Sequence, residues 1–381
     1  SRNRSGGAKA HLIGILRSFD PRLVGVSTVH VWSYAKLLAA LPDKPWLVKH
    51  SPPELEKGIL HQIRWQVRTL REQAVGLGCH VMLNTGAGTF NRFTPSITMS
   101  RDMLSFESGE MQRYPLFSRF RLRLFLIKHL QIYALKRASG AIFLTEYAAR
   151  NLQEFTGNLA HYRIIPHGVG DSFRQTGKQG YWNGARHEIR CIYVSNIDLY
   201  KHQWNVVDAV SILRKKGHPV TIEFIGGGSG LGRKRFDEAI NRNDPERVFT
   251  RLVEALPHEE IPGRLAESDI FIFASSCENM PNTLVEGMAS SLPIACSDRG
   301  PMPEVLGAAG AYFDPERPSS IAEAIESLIN DSERRELLAQ RASEAAAAFS
   351  WERCSRETFS FLVDLARTHF KSKDSTAKES K

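Results

Sequence analysis

Cysteine is scarce in this chain. Its 381 residues include five, Cys79, Cys191, Cys277, Cys296 and Cys354, with no paired spacing among them. That scatter excludes a disulfide framework and the usual paired-cysteine metal sites, and it makes a reducing, cytoplasmic setting the expected one. No uninterrupted apolar run approaches the ~18 residues that a membrane span needs. No His-x-x-x-His or Asp-x-Asp group marks a metal site, so none is expected. The glycines of "FIGGGSG", residues 224–230, offer no G-x-G-x-x-G register, which argues against a dinucleotide oxidoreductase.

What the chain does have is a globular composition, 42% hydrophobic and 24% charged, with a formal net charge of +9 that is dense in the first half. Its length exceeds one ordinary core, so two domains are expected. The second half alternates strand and helix: "IRCIYVSNI", "QWNVVDAVSILRKKG", "VTIEFIGGG", "DIFIFASS", "TLVEGMASS" and "PIACSD" follow one another. Such alternation indicates βαβ units and a parallel sheet covered on both faces, and right-handed crossovers make it doubly wound. The first half is similar in kind but less regular, with strands expected at "PWLVKH", "CHVMLNTG", "SITMS", "GAIFLTE" and "YRIIPHG". The glycine turn Gly6-Gly7 ordinarily follows a strand, yet five residues precede it, so that strand is expected to be missing from this chain.

A long basic helix is expected over 113–137, where Arg113, Arg119, Arg121, Arg123, Lys128, Lys136 and Arg137 interleave with Phe, Leu, Ile and Tyr. Two readings remain open for it: a helix resting on anionic lipid at the inner face of a membrane, or a domain helix with a basic solvent face. Nucleic acid is not an expected partner, because no recognisable module interleaves aromatics with the charge.

The most informative stretch is "CENMPNTLVEGMASSLPIACSDRG", residues 277–300. Glu278 stands in the loop after an apolar strand, at the sheet edge where ligands bind in open α/β folds. A helix is expected to begin near Asn282 or Thr283, with its N-terminus offered to an anion. Glu286 has two readings: the far arm of a capping box opened by Thr283, or a ligand-holding carboxylate.

This segment resembles the signature of retaining glycosyltransferases of the GT-B fold, the group 1 (family 4) class. The likeness rests on Glu278, seven intervening residues, Glu286-Gly-Met-Ala, and the following "LPIACSDRGPMPEVLGAAGAYFDP". "IIPHGVGDSF" (164–173) is similar to the family's linker, and "YVSNIDLYKHQWNVVDA" to the first strand and helix of its nucleotide-binding domain. The resemblance implies two doubly wound Rossmann-like domains facing across a cleft. It implies an N-terminal acceptor-side domain (1–168), a donor-binding domain (169–350) and a helix (351–370) packing back on the first; the tail (371–381) has too few apolar residues to order itself and is expected to be disordered. Closure about the linker near 168–185 would assemble the site.

The implied activity is transfer of a sugar from a nucleotide diphospho-sugar to a sugar or lipid-linked hydroxyl acceptor, with retention and without a metal, in cell-surface polysaccharide or glycolipid assembly. Lys201 would neutralise the diphosphate and Glu278 orient the donor sugar, these two being the catalytic candidates. Glu286 would hold the ribose. Asn196, Asn279, Met280, Pro281, Asn282, Thr283 and Gly226 complete the donor side, and Gly6, Gly7 and Arg101 the acceptor side. Two departures stand out: Asn196 replaces the family's Arg, and Arg101 stands where many members place a His. Arg299 or the Gly232–Arg235 cluster is the candidate replacement for the missing cation. An epimerase of the same fold, and a catalytically degraded sugar-nucleotide-binding module, are the alternatives.

Overall fold

The computed structural model describes residues 7–174, 188–254 and 256–379, with side chains as far as Lys371. The chain divides into two compact units, one formed by residues 1–168 with 350–381 and the other by 169–349.

The first unit contains, in order, α1 (Gly7–Arg17), β1 (Val29–Trp32), α2 (Ala35–Leu38), β2 (Leu47–His50), α3 (Ile59–Arg68), α4 (Leu70–Gly76), β3 (Met82–Asn84), β4 (Ser96–Met99), α5 (Arg119–Arg137), β5 (Gly140–Phe143), α6 (Glu146–Thr156) and β6 (Tyr162–Ile164). The second contains β7 (Ile189–Val194), α7 (Gln203–Lys215), β8 (Val220–Ile225), α8 (Gly230–Asn243), β9 (Thr250–Val253), α9 (Ile261–Glu267), β10 (Ile270–Phe273), α10 (Asn282–Ala289), β11 (Ile294–Ser297), α11 (Met302–Leu306), β12 (Ala311–Phe313), α12 (Pro318–Asn330) and α13 (Ser332–Ala346). A last helix, α14 (Trp351–Glu379), belongs to the first unit, where Trp351 lies against Gly14 and Gly168.

Every strand pairing is parallel, as the βα rhythm of the sequence requires. The second unit holds one six-stranded sheet in the order β12-β11-β10-β7-β8-β9. The chain starts at the centre with β7, builds outward through β8 and β9, and returns to add β10, β11 and β12 on the other side. The order therefore reverses between β7 and β10, and ligands bind in the crevice at such a reversal. All four residues of β10 and all four of β11 are buried, the mark of strands covered by helices on both faces.

The first unit splits its strands between a pair, β1-β2, and a four-stranded sheet, β3-β4-β5-β6. Strand β1 lies outside the expected strands: its four residues include His30 and Trp32, and none is fully buried. The basic helix starts at Arg119 rather than 113, because Pro115 interrupts the chain and Ser118 caps the helix by accepting from the Arg121 N–H. Helix α14 continues to Glu379, past residue 370 where the sequence reading ends it. An established helix extends readily through a Lys- and Ala-bearing stretch without Gly or Pro.

Candidate active site

At the reversal point the loops after β7 and β10 are bonded to each other. The Ser276 N–H donates to the Tyr200 carbonyl at 2.8 Å, and the His202 ring nitrogen lies 3.0 Å from the Ser276 hydroxyl. His202 holds a left-handed conformation, φ 51°, which turns the chain sharply from the 3-10 turn Leu199–Lys201 into α7. That turn aims the Lys201 side chain across the gap. Its ammonium donates to the Glu278 carboxylate, and both side chains are largely removed from solvent, with 8% and 15% of their surfaces exposed. The Tyr193 hydroxyl anchors the turn by donating to the Lys201 carbonyl at 2.7 Å. The two catalytic candidates thus form one ion pair at the switch point, carried by adjacent strands.

Helix α10 opens beside this pair. Pro281 precedes it with no side-chain cap, so of the two readings of Glu286 the capping box with Thr283 does not form. Thr283 already lies inside the first turn, too far along to cap, and Glu286 is directed elsewhere. Its carboxylate meets the His258 ring nitrogen at 2.9 Å. That hydrogen bond is the main cause of a raised His258 pKa, against the opposing effect of burial and with help from the charges of Glu286 and Glu259. His258 was missed in the sequence, because it stands in a 3-10 turn (His258–Glu260) with no motif around it and meets Glu286 only through the fold.

Asn279, Met280 and Pro281 are buried, while Asn282 and Thr283 are half-buried at the start of α10. Gly287, the next residue after Glu286, lets α10 rest on β10: a Cβ there would lie 2.8 Å from the Phe271 ring. Gly226, with φ 131°, similarly admits the β7 loop, since its Cβ would lie 2.3 Å from the Ser195 carbonyl oxygen. Asn196 is exposed, and its carbonyl accepts from the Gln203 side chain at 2.9 Å. Of the cations considered as replacements for the missing arginine, Arg235 is exposed and lies over the Trp204 ring at 5.3 Å, while Arg299 and Arg233 are paired with acids. Arg299 lies 3.2 Å from both Asp298 and Asp314, and Arg233 pairs with Asp237 and Glu254 at 2.9 and 2.7 Å.

The acceptor-side candidates lie in the first unit. Gly6 is outside the described residues, and Gly7 is the first residue of α1. Arg101 follows β4, and burial pushes its guanidinium down to about 10. Its charge acts on His11 of α1, a fully buried imidazole stacked on His167 at 4.6 Å between ring centroids. Burial first, then His167 and Arg101, hold His11 well below the ordinary 6.5. His11 was missed because the sequence around it reads as one face of an amphipathic helix. Among the described residues no group of three or more His, Cys, Asp or Glu could hold a metal ion, and no helix is long and apolar enough to cross a membrane.

Residues 184–345 match the family described as glycosyl transferases group 1. Among curated proteins, the chain is 31% identical to the O-antigen chain mannosyltransferase B of Escherichia coli over 110 residues, 29% of each chain. It is 27% identical to a D-inositol 3-phosphate glycosyltransferase of Corynebacterium kroppenstedtii over 188 residues, 48% of this chain and 42% of that one. The matched part spans less than half the length of these relatives. Two solved structures are similar over almost the whole chain. HepE of Anabaena, in complex with UDP and glucose, superposes with a TM-score of 0.68 at 18% identity, covering 93% of this chain and 95% of its own. Sucrose-phosphate synthase from Thermosynechococcus elongatus gives 0.72 at 15% identity, covering 97% and 94%. The fold is GT-B, with two Rossmann-like domains.

Proposed function

We propose that this chain, a GT-B protein whose residues 184–345 carry the group 1 glycosyl transferase domain, transfers a sugar from a nucleotide diphospho-sugar to a hydroxyl acceptor. The observation that carries the proposal is the Lys201–Glu278 pair at the β7/β10 switch point, beside the N-terminus of α10. An ammonium has three donors, so Lys201 can keep Glu278 and still reach a diphosphate oxygen. The α10 N-terminus adds a partial positive charge at the same place. Both stabilise charge developing on the leaving diphosphate without rearranging, which is where electrostatic catalysis is strongest.

In this reading Glu278 orients the sugar and Glu286 the ribose hydroxyls, with His258 holding the Glu286 carboxylate in place. The inward packing of Asn279 and Met280 shapes the sugar pocket from behind. The acceptor oxygen attacks the anomeric carbon from the side the diphosphate leaves. The new C–O bond forms as the C–O bond to phosphate breaks, and the departing phosphate oxygen takes the acceptor proton. Configuration is retained, and Lys201 with the helix N-terminus does the work a metal would otherwise do. Gly7 and Arg101 belong to the acceptor side. A relative named for O-antigen chain mannosyl transfer supports an acceptor in cell-surface polysaccharide or glycolipid assembly.

The exposed Asn196 favours a second reading, a module that binds the sugar nucleotide without transferring it, since one diphosphate contact of the family is absent and Arg299 and Arg233 are held in ion pairs. Incubation of the full chain with a panel of nucleotide sugars and hydroxyl acceptors, followed by nucleoside-diphosphate release and NMR of the product's anomeric proton, decides between them. Transfer with retention is expected. Binding without release in any combination selects the module, and an inverted product rejects the retaining mechanism.

A further inference from the structure

Helix α5 has two apolar stripes, and the fold uses one. Leu124, Gln131, Ala134 and Leu135 are buried against the first unit. At 3.6 residues per turn, Leu122, Leu126, His129 and Tyr133 line up on the opposite side. Leu122 and Leu126 are each 60% exposed, and Tyr133 is 52% exposed. The stripe runs for about 16 Å from Leu122 to Tyr133 at the helical rise. Just ahead of it Leu116 and Phe117 are 63% and 95% exposed, which extends the apolar surface beyond the helix.

A soluble surface helix places its polar face where this one places leucines. The charges stand at the edges instead: Arg119, Arg123, Lys136 and Arg137 are exposed, and the nineteen residues of α5 include no Asp or Glu. The Arg137 guanidinium leans over the Tyr133 ring at 5.3 Å and donates to its hydroxyl at 2.7 Å, so tyrosine and cation share one rim. A second copy of the chain fits this surface badly, because a symmetric contact would bring two arginine rims together without an acid between them. Nucleic acid would meet the rim but leave the leucine stripe uncovered.

We infer that the outward face of α5, together with Leu116 and Phe117, docks the chain on an anionic lipid bilayer. The apolar stripe enters the boundary between headgroups and acyl chains, and the arginine and lysine rim meets lipid phosphates. The helix lies in the plane of the surface. This inference is independent of the proposed sugar transfer, and nucleotide binding in the second unit is measured separately as a check that the chain is folded.

The test is flotation of the full chain with phosphatidylcholine vesicles and with vesicles containing phosphatidylglycerol. Binding is expected on the anionic vesicles and weakens with added salt. Leu122→Gln with Leu126→Gln abolishes it, while Arg119→Gln and Arg123→Gln each weaken it about fivefold. Phe117→Ser, at a side chain almost free of protein contact, reproduces part of the loss without touching the helix. An unchanged melting temperature shows that the variants are folded. The inference is overturned if the wild type floats with neither vesicle, or if the double variant floats as well as wild type. It is equally overturned if ultracentrifugation shows a dimer that the double variant dissolves while vesicle binding is absent.

Discussion

The two units keep a histidine beside their candidate functional residues, and they treat it in opposite ways. In the second unit His258 faces the Glu286 carboxylate, and its charged form is favoured. In the first, His11 is sealed among His167, Trp351 and the field of Arg101, and its neutral form is favoured. The charged form of the same side chain is favoured beside the Glu286 carboxylate and disfavoured where it is buried near Arg101. The second unit joins opposite charges at its sheet edge, Lys201 to Glu278 and His258 to Glu286. The first packs His11 and His167 against each other out of water.

The largest expected effect falls on the second unit. Lys201→Ala removes the ammonium from the switch point and strands the largely buried Glu278, and turnover is expected to fall about 100- to 1,000-fold. Arg101→Met is the counterpart in the first unit: it raises KM for the acceptor and leaves donor affinity unchanged. Steady-state kinetics with each substrate varied in turn reads both. If Arg101→Met weakens the donor as much as Lys201→Ala does, the division of labour between units fails.

Next comes packing. Gly287→Ala forces a methyl against the Phe271 ring, which is fully buried and cannot swing aside, and the expected loss is about 1–3 kcal/mol in urea denaturation. Donor affinity is expected to fall with it, because α10 carries Glu286 and, in the proposed function, offers its N-terminus to the diphosphate. Full stability in this variant would mean that α10 does not rest on β10 through Gly287.

Smaller effects follow pH, and here the units should diverge in sign. His11 has a folded-state pKa below the ordinary 6.5, so the unfolded chain binds the extra proton first. Its contribution is complete above 6.5 and is lost as pH falls below that value. His258 has a raised pKa, so its contribution is complete below 6.5 and is lost as pH rises through the folded value. His11→Phe is expected to flatten the acid side of the stability profile, and His258→Gln, the smallest change, the neutral side. Denaturation of each variant from about pH 8 to about pH 5 reads the two slopes. A slope of the same sign in both removes the contrast.

Legibility also differs between the units. In the second, β7, β8 and β10 are apolar runs each followed by a helix, so the sequence alone announces most of the sheet, while β9, with Arg251 inside it, was not among the expected strands. Glu278 was singled out because it stands in the loop leaving such a strand, and Lys201 through the family resemblance. Their mutual bond was not, since it depends on β7 and β10 being neighbours, a fact of strand order rather than of local pattern. The same holds for His258 and Glu286, 28 positions apart. Thr283 and Glu286 left a capping box and a ligand-holding carboxylate both open, because S/T-x-x-E is a local pattern that cannot show where Glu286 turns, and the helix starting at Asn282 carries no side-chain cap. In the first unit β1 is four residues long with His30 and Trp32 inside it, too short and too polar to read as a strand. The outward leucines of α5 were visible as letters, but which stripe faced the core was decided by packing.

The central claim is that the crevice between β7 and β10 holds a nucleotide diphospho-sugar. Calorimetric titration of a nucleotide-sugar panel into the wild-type full chain, Lys201→Ala and Glu286→Ala tests it most directly. The account predicts that at least one donor binds the wild type, that Lys201→Ala loses affinity for the free nucleoside diphosphate as well as for the sugar nucleotide, and that Glu286→Ala loses affinity for both. Equal affinities in all three proteins, or no binding by any member of the panel, would contradict it.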